Sequence, residues 1–295
     1  MYILIATIAY FLVAIASVGD KFLVTKKVTN PVAYTFYVGV LGIFALAFAP
    51  FGFFLSSLNI TLWALLSGSI FLISLFFLFT SLFKEEASRV FAVFGGCNAV
   101  FVIAINAFVF NEILKGIHLI AVILLIIGGA LILYKKKNSF HDAKNIFPAI
   151  LAAFLSAVSI VIVKRVYLIE PFFNAYIWTR IGFFLTAMIL LLRRKNREVI
   201  FGTARSAGKS SWVWVVSNKA LAGLGAFLVN VAVATGSVSI VYSMQGIQYA
   251  FIFVFAVILS VKLPSILHEE LNRSELWHKI LAILLIGGGL IALSL

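Results

Sequence analysis

The sequence predicts an all-helical integral membrane protein: ten spanning helices arranged as two inverted five-helix repeats. Three observations predict it. First, the chain of 295 residues is 63% hydrophobic and 11% charged, whereas a soluble domain is about 45–50% apolar and about 25% charged. Second, the apolar residues fall in runs long enough for a bilayer, which takes roughly 20 residues per helix. Third, the two halves of the chain match one another in the same order.

The apolar runs lie at about 2–19, 32–54, 60–83, 90–111, 117–134, 146–163, 172–192, 212–235, 238–261 and 277–295. They are continuous rather than alternating, which argues against the strands of about ten alternating residues that build membrane barrels. Breakers and charges separate them, as at Asn30-Pro31, Lys84-Glu85-Glu86, Asn111-Glu112 and Lys135-Lys136-Lys137. The first run has no basic leader and ends at Asp20-Lys21 rather than at a small-residue cleavage site. It therefore reads as a spanning helix, not a removable signal.

The internal match pairs residues 31–42 (PVAYTFYVGVLG) with 171–182 (PFFNAYIWTRIG), and Lys21 with Lys164. Gly96, Asn98 and Phe101 fall over Gly246, Gln248 and Phe251, and IGGALIL (127–133) falls over IGGGLIA (286–292). The expected division is a first repeat over 1–137, a cytoplasmic linker over 138–145 and a second repeat over 146–295. Five spans per repeat force the second repeat to insert upside down, the plan of many transporters with a solute site near the midplane.

The formal net charge is +13. Of the 23 Lys and Arg, all but Lys115, Lys164, Arg165, Arg180 and Lys219 lie in the loops after the odd-numbered spans. Positive loops stay inside, so the count predicts a multi-pass protein of the cell membrane with both termini outside. The basic residues face anionic lipid rather than nucleic acid. Expected partners are therefore membrane lipid, a small-molecule solute and, where transport is coupled, an ion. Cys97 is alone, so no internal disulfide forms. There is no phosphate-binding loop for ATP, no HExxH and no cysteine cluster. Neither a cofactor nor a metal is expected.

The stretch EASRVFAVFGGCNAVFVIAINAFVFNEILKGIHLIAVILLIIGGALIL (86–133) and its weaker partner GSVSIVYSMQGIQYAFIFVFAVILSVKLPSILHEELNR (236–273) resemble the EamA-type members of the drug/metabolite transporter superfamily. The resemblance covers nearly the whole chain. It implies a ten-helix bundle with a central cavity and alternating access, moving amino acids, nucleotide sugars, sugar phosphates or other metabolites. The chain departs from the family pattern in two places. The loop FLSSLN (54–59), basic in the family, carries no charge. The arginine often found in the second helix of a repeat is present as Arg180 but replaced by Val40 in the first half.

Two cations fall inside spans, Arg180 and Lys219, while every acidic residue falls at a span end or in a loop. A charge at the bilayer centre costs at least about 2.5–3.5 kcal/mol and so faces the bundle interior or water. Two buried cations without buried acids predict a site for a carboxylate or phosphate. The plainer reading has Arg180 bonding helix-end carbonyls and Lys219 snorkelling to the interface. Asn98 and Asn106, eight residues apart, share a helix face, as do Gln245 and Gln248. They either line the site or bond helix to helix. Tyr176, Trp178 and Tyr249 are candidate pocket walls. Gly95-Gly96, Gly128-Gly129 and Gly287–Gly289 read as close helix approaches. His118 and His278 read as interfacial, and Glu112 and Glu270 as helix caps.

The function expected is secondary transport of a small polar metabolite carrying a carboxylate or phosphate, without enzymatic activity. The alternatives are a flippase for a lipid or lipid-linked headgroup, marked by a side opening between helices, and a membrane enzyme using Glu269-Glu270 with His268.

Overall fold

The computed structural model describes residues 2–28, 30–110, 116–133, 140–206, 208–235, 241, 244–262 and 273–292. Among them all regular structure is helical. The helices are α1 (Tyr2–Phe22), continued by a π turn (Leu23–Lys27); α2 (Pro31–Leu41), continued by a 3-10 stretch (Gly42–Phe51); α3 (Leu58–Lys84); α4 (Ala87–Phe110); α5 (Ile117–Leu133); α6 (Phe140–Tyr167); α7 (Phe172–Leu190); α8 (Arg194–Ser206); α9 (Lys209–Thr235); α10 (Gln245–Lys262); and α11 (Arg273–Ala292).

Among the described residues, six helices are long and apolar enough to cross a membrane: Tyr2–Thr25, Pro31–Phe51, Leu58–Lys84, Lys144–Tyr167, Phe172–Leu190 and Ser211–Val233. Their outward faces carry large exposed apolar side chains such as Leu4, Phe44, Leu62, Leu185 and Leu224. Contiguous apolar surface of this kind is foreign to a water-facing monomer and fits a protein embedded in lipid.

Local chemistry accounts for the helix ends. The Asn30 side chain accepts hydrogen bonds from the Val32 and Ala33 amides, and Pro31 opens α2 with no amide to leave unsatisfied. The Lys21 ammonium donates to the Leu82 and Glu85 carbonyls at the end of α3, where the helix has carbonyls to spare. The ten-residue 3-10 stretch after α2 is long for its kind, since runs beyond 3–4 residues are uncommon. It closes at Gly52, whose φ of 123° suits glycine.

Three features differ from the sequence reading. The first helix, expected to end near residue 19, runs to Phe22, so Asp20 lies inside it and is buried. α6 begins at Phe140, inside the stretch read as a linker. The basic segment 194–206, read as loop, forms α8.

Packing centres on α3. Ser67, Ser74 and Ser81 recur every seven residues and so stay on one face. Ser67 bonds reciprocally with Ser159 at 2.9–3.1 Å, Ser74 bonds the Ala152 carbonyl at 2.7 Å, and Ser81 bonds the Asn145 carbonyl at 2.7 Å. These small hydroxylated residues let α3 approach α6 closely. On another face α3 meets α7, where Gly68 and Gly182 allow the two backbones to touch. A Cβ at Gly68 would stand 1.8 Å from the Thr179 carbonyl oxygen, and one at Gly182 would stand 2.2 Å from that of Leu65. α4 also packs on α6, α1 packs on α9 and α10, and α5 packs on α11. In that last pair Gly128 lies against Ala282 and Ile286. At Gly287 and Gly288, by contrast, an added Cβ meets nothing within 4 Å.

α9 is the exception in this close packing. Only 17% of its spanning window is buried, against 39–44% in the other five long helices. Among the described residues it packs broadly against α1 alone.

Candidate functional site

The helices enclose a central cavity of about 610 Å³, a size typical of small-molecule sites. α1, α2 with its 3-10 continuation, α3, α4, α6, α7, α9 and α10 form its wall, and the charged residues in that wall are Asp20, Arg180 and Lys219.

One end of the cavity is a polar floor. The Lys219 ammonium lies 2.6 and 2.8 Å from the two carboxylate oxygens of Asp20. Asp20 also accepts from the Tyr34 hydroxyl at 2.7 Å and from the Asn218 amide. The rings of Tyr34 and Phe79 pack over the ammonium at 5.0 and 5.3 Å. Lys219 was expected to lack a buried acid. Asp20 overturns that expectation: it sits within α1, 8% exposed, and neutralises Lys219.

Arg180 lies partway along α7, with its backbone carbonyl beside Gly42 where α2 tightens into the 3-10 stretch. Its guanidinium carbon stands 4.9 Å from the Tyr176 ring centre and 5.5 Å from that of Phe183. Ring faces attract a cation but cannot neutralise it. The Arg180 Nε is buried without a hydrogen-bond partner, and Arg180 forms no ion pair among the described residues. Among the described residues the cavity wall thus holds two cations and one anion, and the unbalanced charge sits on Arg180.

The far end is closed by aromatic rings. Phe227 of α9 stacks on Phe48 at 4.8 Å and contacts Phe172, Phe173 and Tyr176 at 5.7–6.5 Å.

Six of the eight residues singled out in the sequence line this cavity: Asn98, Tyr176, Arg180, Lys219, Gln245 and Gln248. Asn98 is tied by its amide to the Ala153 carbonyl at 2.9 Å and so joins α4 to α6. Gln248 is buried, with its amide 3.5 Å from the Ser17 hydroxyl, too long for a strong bond. The other two lie elsewhere. Trp178 donates to the Phe54 carbonyl at 3.1 Å and packs on Phe53. Tyr249 is buried against Gly95 with its hydroxyl unpartnered. The side chains of Asn106 and His118, and residues Glu112, His268, Glu269 and Glu270, lie outside the described residues. Sequence reasoning missed Asp20, Tyr34 and Asn218. The available signal was the apolar continuation past Asp20 (Phe22-Leu23-Val24), which marks a charge within a span rather than at its edge.

No family model matches the chain, and no curated protein does. A solved structure described only as a crystal structure of a protein is similar in fold, with a TM-score of 0.56 and 17% identity over 98% of this chain and 93% of that one. At that identity the likeness concerns the fold alone.

Proposed function

We propose that the protein is a secondary transporter that carries a small anionic solute, bearing a carboxylate or phosphate, by alternating access. The observation that carries this reading is Arg180, a guanidinium without a counter-charge among the described residues in the wall of the cavity. An uncompensated charge there is costly, and an anionic ligand that accepts its hydrogen bonds removes the cost.

The ten-helix, two-repeat plan is part of the proposal, as are the EamA-type membership and the placement of both termini outside. Pairing α1 with α6, α2 with α7, α3 with α9, α4 with α10 and α5 with α11 makes the packing repeat itself. α3 meets α6 as α9 meets α1, and α4 meets α6 as α10 meets α1. The contacts of α3 with α2, α4 and α7 break the rule, since among the described residues α9 makes no counterpart of comparable extent. α3 is pressed against α7, while its counterpart α9 touches α2 at the Tyr37–Trp212 ring pair rather than along its length. An inverted-repeat carrier has this asymmetry in each of its two states, with the halves exchanging conformations as access switches.

The test is uptake into proteoliposomes of radiolabelled amino acids, sugar phosphates and organic cations. The expected result is accumulation of at least one anionic solute. Arg180→Ala lowers that uptake about 10- to 100-fold, the equivalent of one charge-assisted contact of about 1.5–3 kcal/mol. Accumulation of organic cations alone, or anion uptake indifferent to Arg180→Ala, contradicts the proposal.

A further inference from the structure

We infer that the anion has an alkyl tail, and that it enters sideways from the bilayer through a window between α9 and the α2/3-10 wall; the inference rests on the anion site at Arg180. The window has closed ends and an open middle. At one end Tyr37 meets Trp212 with ring centres 4.4 Å apart. At the other Phe48 stacks on Phe227 at 4.8 Å. Along α9 the two contacts are separated by roughly 22 Å of helix rise, less than the hydrocarbon thickness of about 30 Å.

Between those ends the cavity wall is also the outer surface. Phe44, Val216 and Leu224 line the cavity and are 70%, 50% and 52% exposed. A Cβ at Gly223, another wall residue, meets nothing within 4 Å. Both rims are apolar, so an alkyl chain is the occupant they solvate. The opening leads inward to Arg180, beside Gly42 on the same wall. An acid headgroup on Arg180 with its tail in the window satisfies the unbalanced charge of the described wall and the exposed apolar rims together.

The approach to the window is basic. α8 packs on α2 through buried Ile200, whose carbonyl accepts the Tyr37 hydroxyl at 2.7 Å, next to the Tyr37–Trp212 contact. Arg193, Lys195, Arg197 and Arg205 are exposed on or beside it, and Arg194 pairs with Glu198. A basic helix at the interface concentrates anionic headgroups, here at the foot of the opening. The wall opposite α9 is the long 3-10 stretch, a form that often marks a hinge.

The experiment uses dodecyl phosphate carrying a diazirine on its terminal carbon, with the protein in phosphatidylcholine nanodiscs. After irradiation, adducts are mapped by peptide mass spectrometry. We expect adducts on 41–48 and 216–227 to exceed those on the lipid face of α3 (Leu58, Leu62, Leu66) about tenfold, a modest specific preference. Unlabelled dodecyl phosphate abolishes that excess, dodecyltrimethylammonium leaves it, and Arg180→Gln removes it. Adducts spread evenly over lipid-facing helices, or displaced equally by the cation, overturn the inference; the two competitors decide this on the unmutated protein alone. Hydrophilic anions that bind through Arg180 while window labelling stays at background overturn the amphiphile and leave the anion site standing. If neither binds, both fall.

Discussion

Asp20→Asn is expected to destabilise the folded protein by about 3–5 kcal/mol, the usual consequence of removing one partner from a buried ion pair. The substitution keeps the shape of the side chain and an acceptor for Tyr34. What it removes is the charge facing Lys219, whose ammonium is then left between two rings and an amide. Lys219→Met alone is milder, because Asp20 keeps its bonds from Tyr34 and Asn218. The double variant Asp20→Asn/Lys219→Met is expected to recover most of the stability, since no uncompensated charge remains. Thermal unfolding of the four proteins in detergent gives the coupling directly as a double-mutant cycle. A loss below about 1 kcal/mol for Asp20→Asn would mean that water reaches the pair and screens it.

Gly182→Ala is expected to be nearly as damaging, through a methyl group rather than a charge. All three atoms nearest the new Cβ are backbone atoms of Leu65, at 2.2, 2.6 and 2.7 Å. No rotamer change relieves such a contact, so α3 and α7 must part. Overpacking of this kind costs about 1–3 kcal/mol or more, and folded yield in detergent falls with it. Gly223→Ala, on the open flank of α9, is the matched control and does not lower the melting temperature, since alanine is favoured over glycine inside a helix where its Cβ meets nothing. Equal melting temperatures for Gly182→Ala and the parent would contradict the close approach of α3 and α7. That approach has a functional counterpart in the gap between α9 and α2, since the proposal has the two contacts exchange during transport.

Much of this architecture was legible in the sequence. Hydropathy located the apolar helices because each must satisfy its backbone internally and show lipid an apolar surface. Arg180 was legible as a charge in the middle of such a run, and Tyr176, four residues before it, lies on the same helix face. Trp178 sits two residues from Arg180, about 200° around the helix at 100° per residue, so the two cannot face one cavity. Tyr249, one residue past Gln248, is displaced by about 100° and packs against Gly95 of α4 instead. Asp20 was misplaced because hydropathy sets a charge at the edge of a run, and its partner lies 199 residues away, beyond any local pattern. α8 lacked an apolar run altogether. What orders it is the seating of Ile200 against α2, a contact set by tertiary structure.

The anion site at Arg180 is the central claim, and binding tests it most directly. The measurement is thermal stabilisation of the purified protein in detergent by amino acids, sugar phosphates, nucleotides and organic cations, repeated with Arg180→Ala. A ligand that binds only the folded state stabilises it by mass action, about 2.7 kcal/mol at 100 times its Kd. An anionic solute is expected to raise the melting temperature, and Arg180→Ala to abolish the rise. Stabilisation by cations alone, or an anion response that survives Arg180→Ala, would contradict the anion site and leave Arg180 as a structural residue held by the rings of Tyr176 and Phe183.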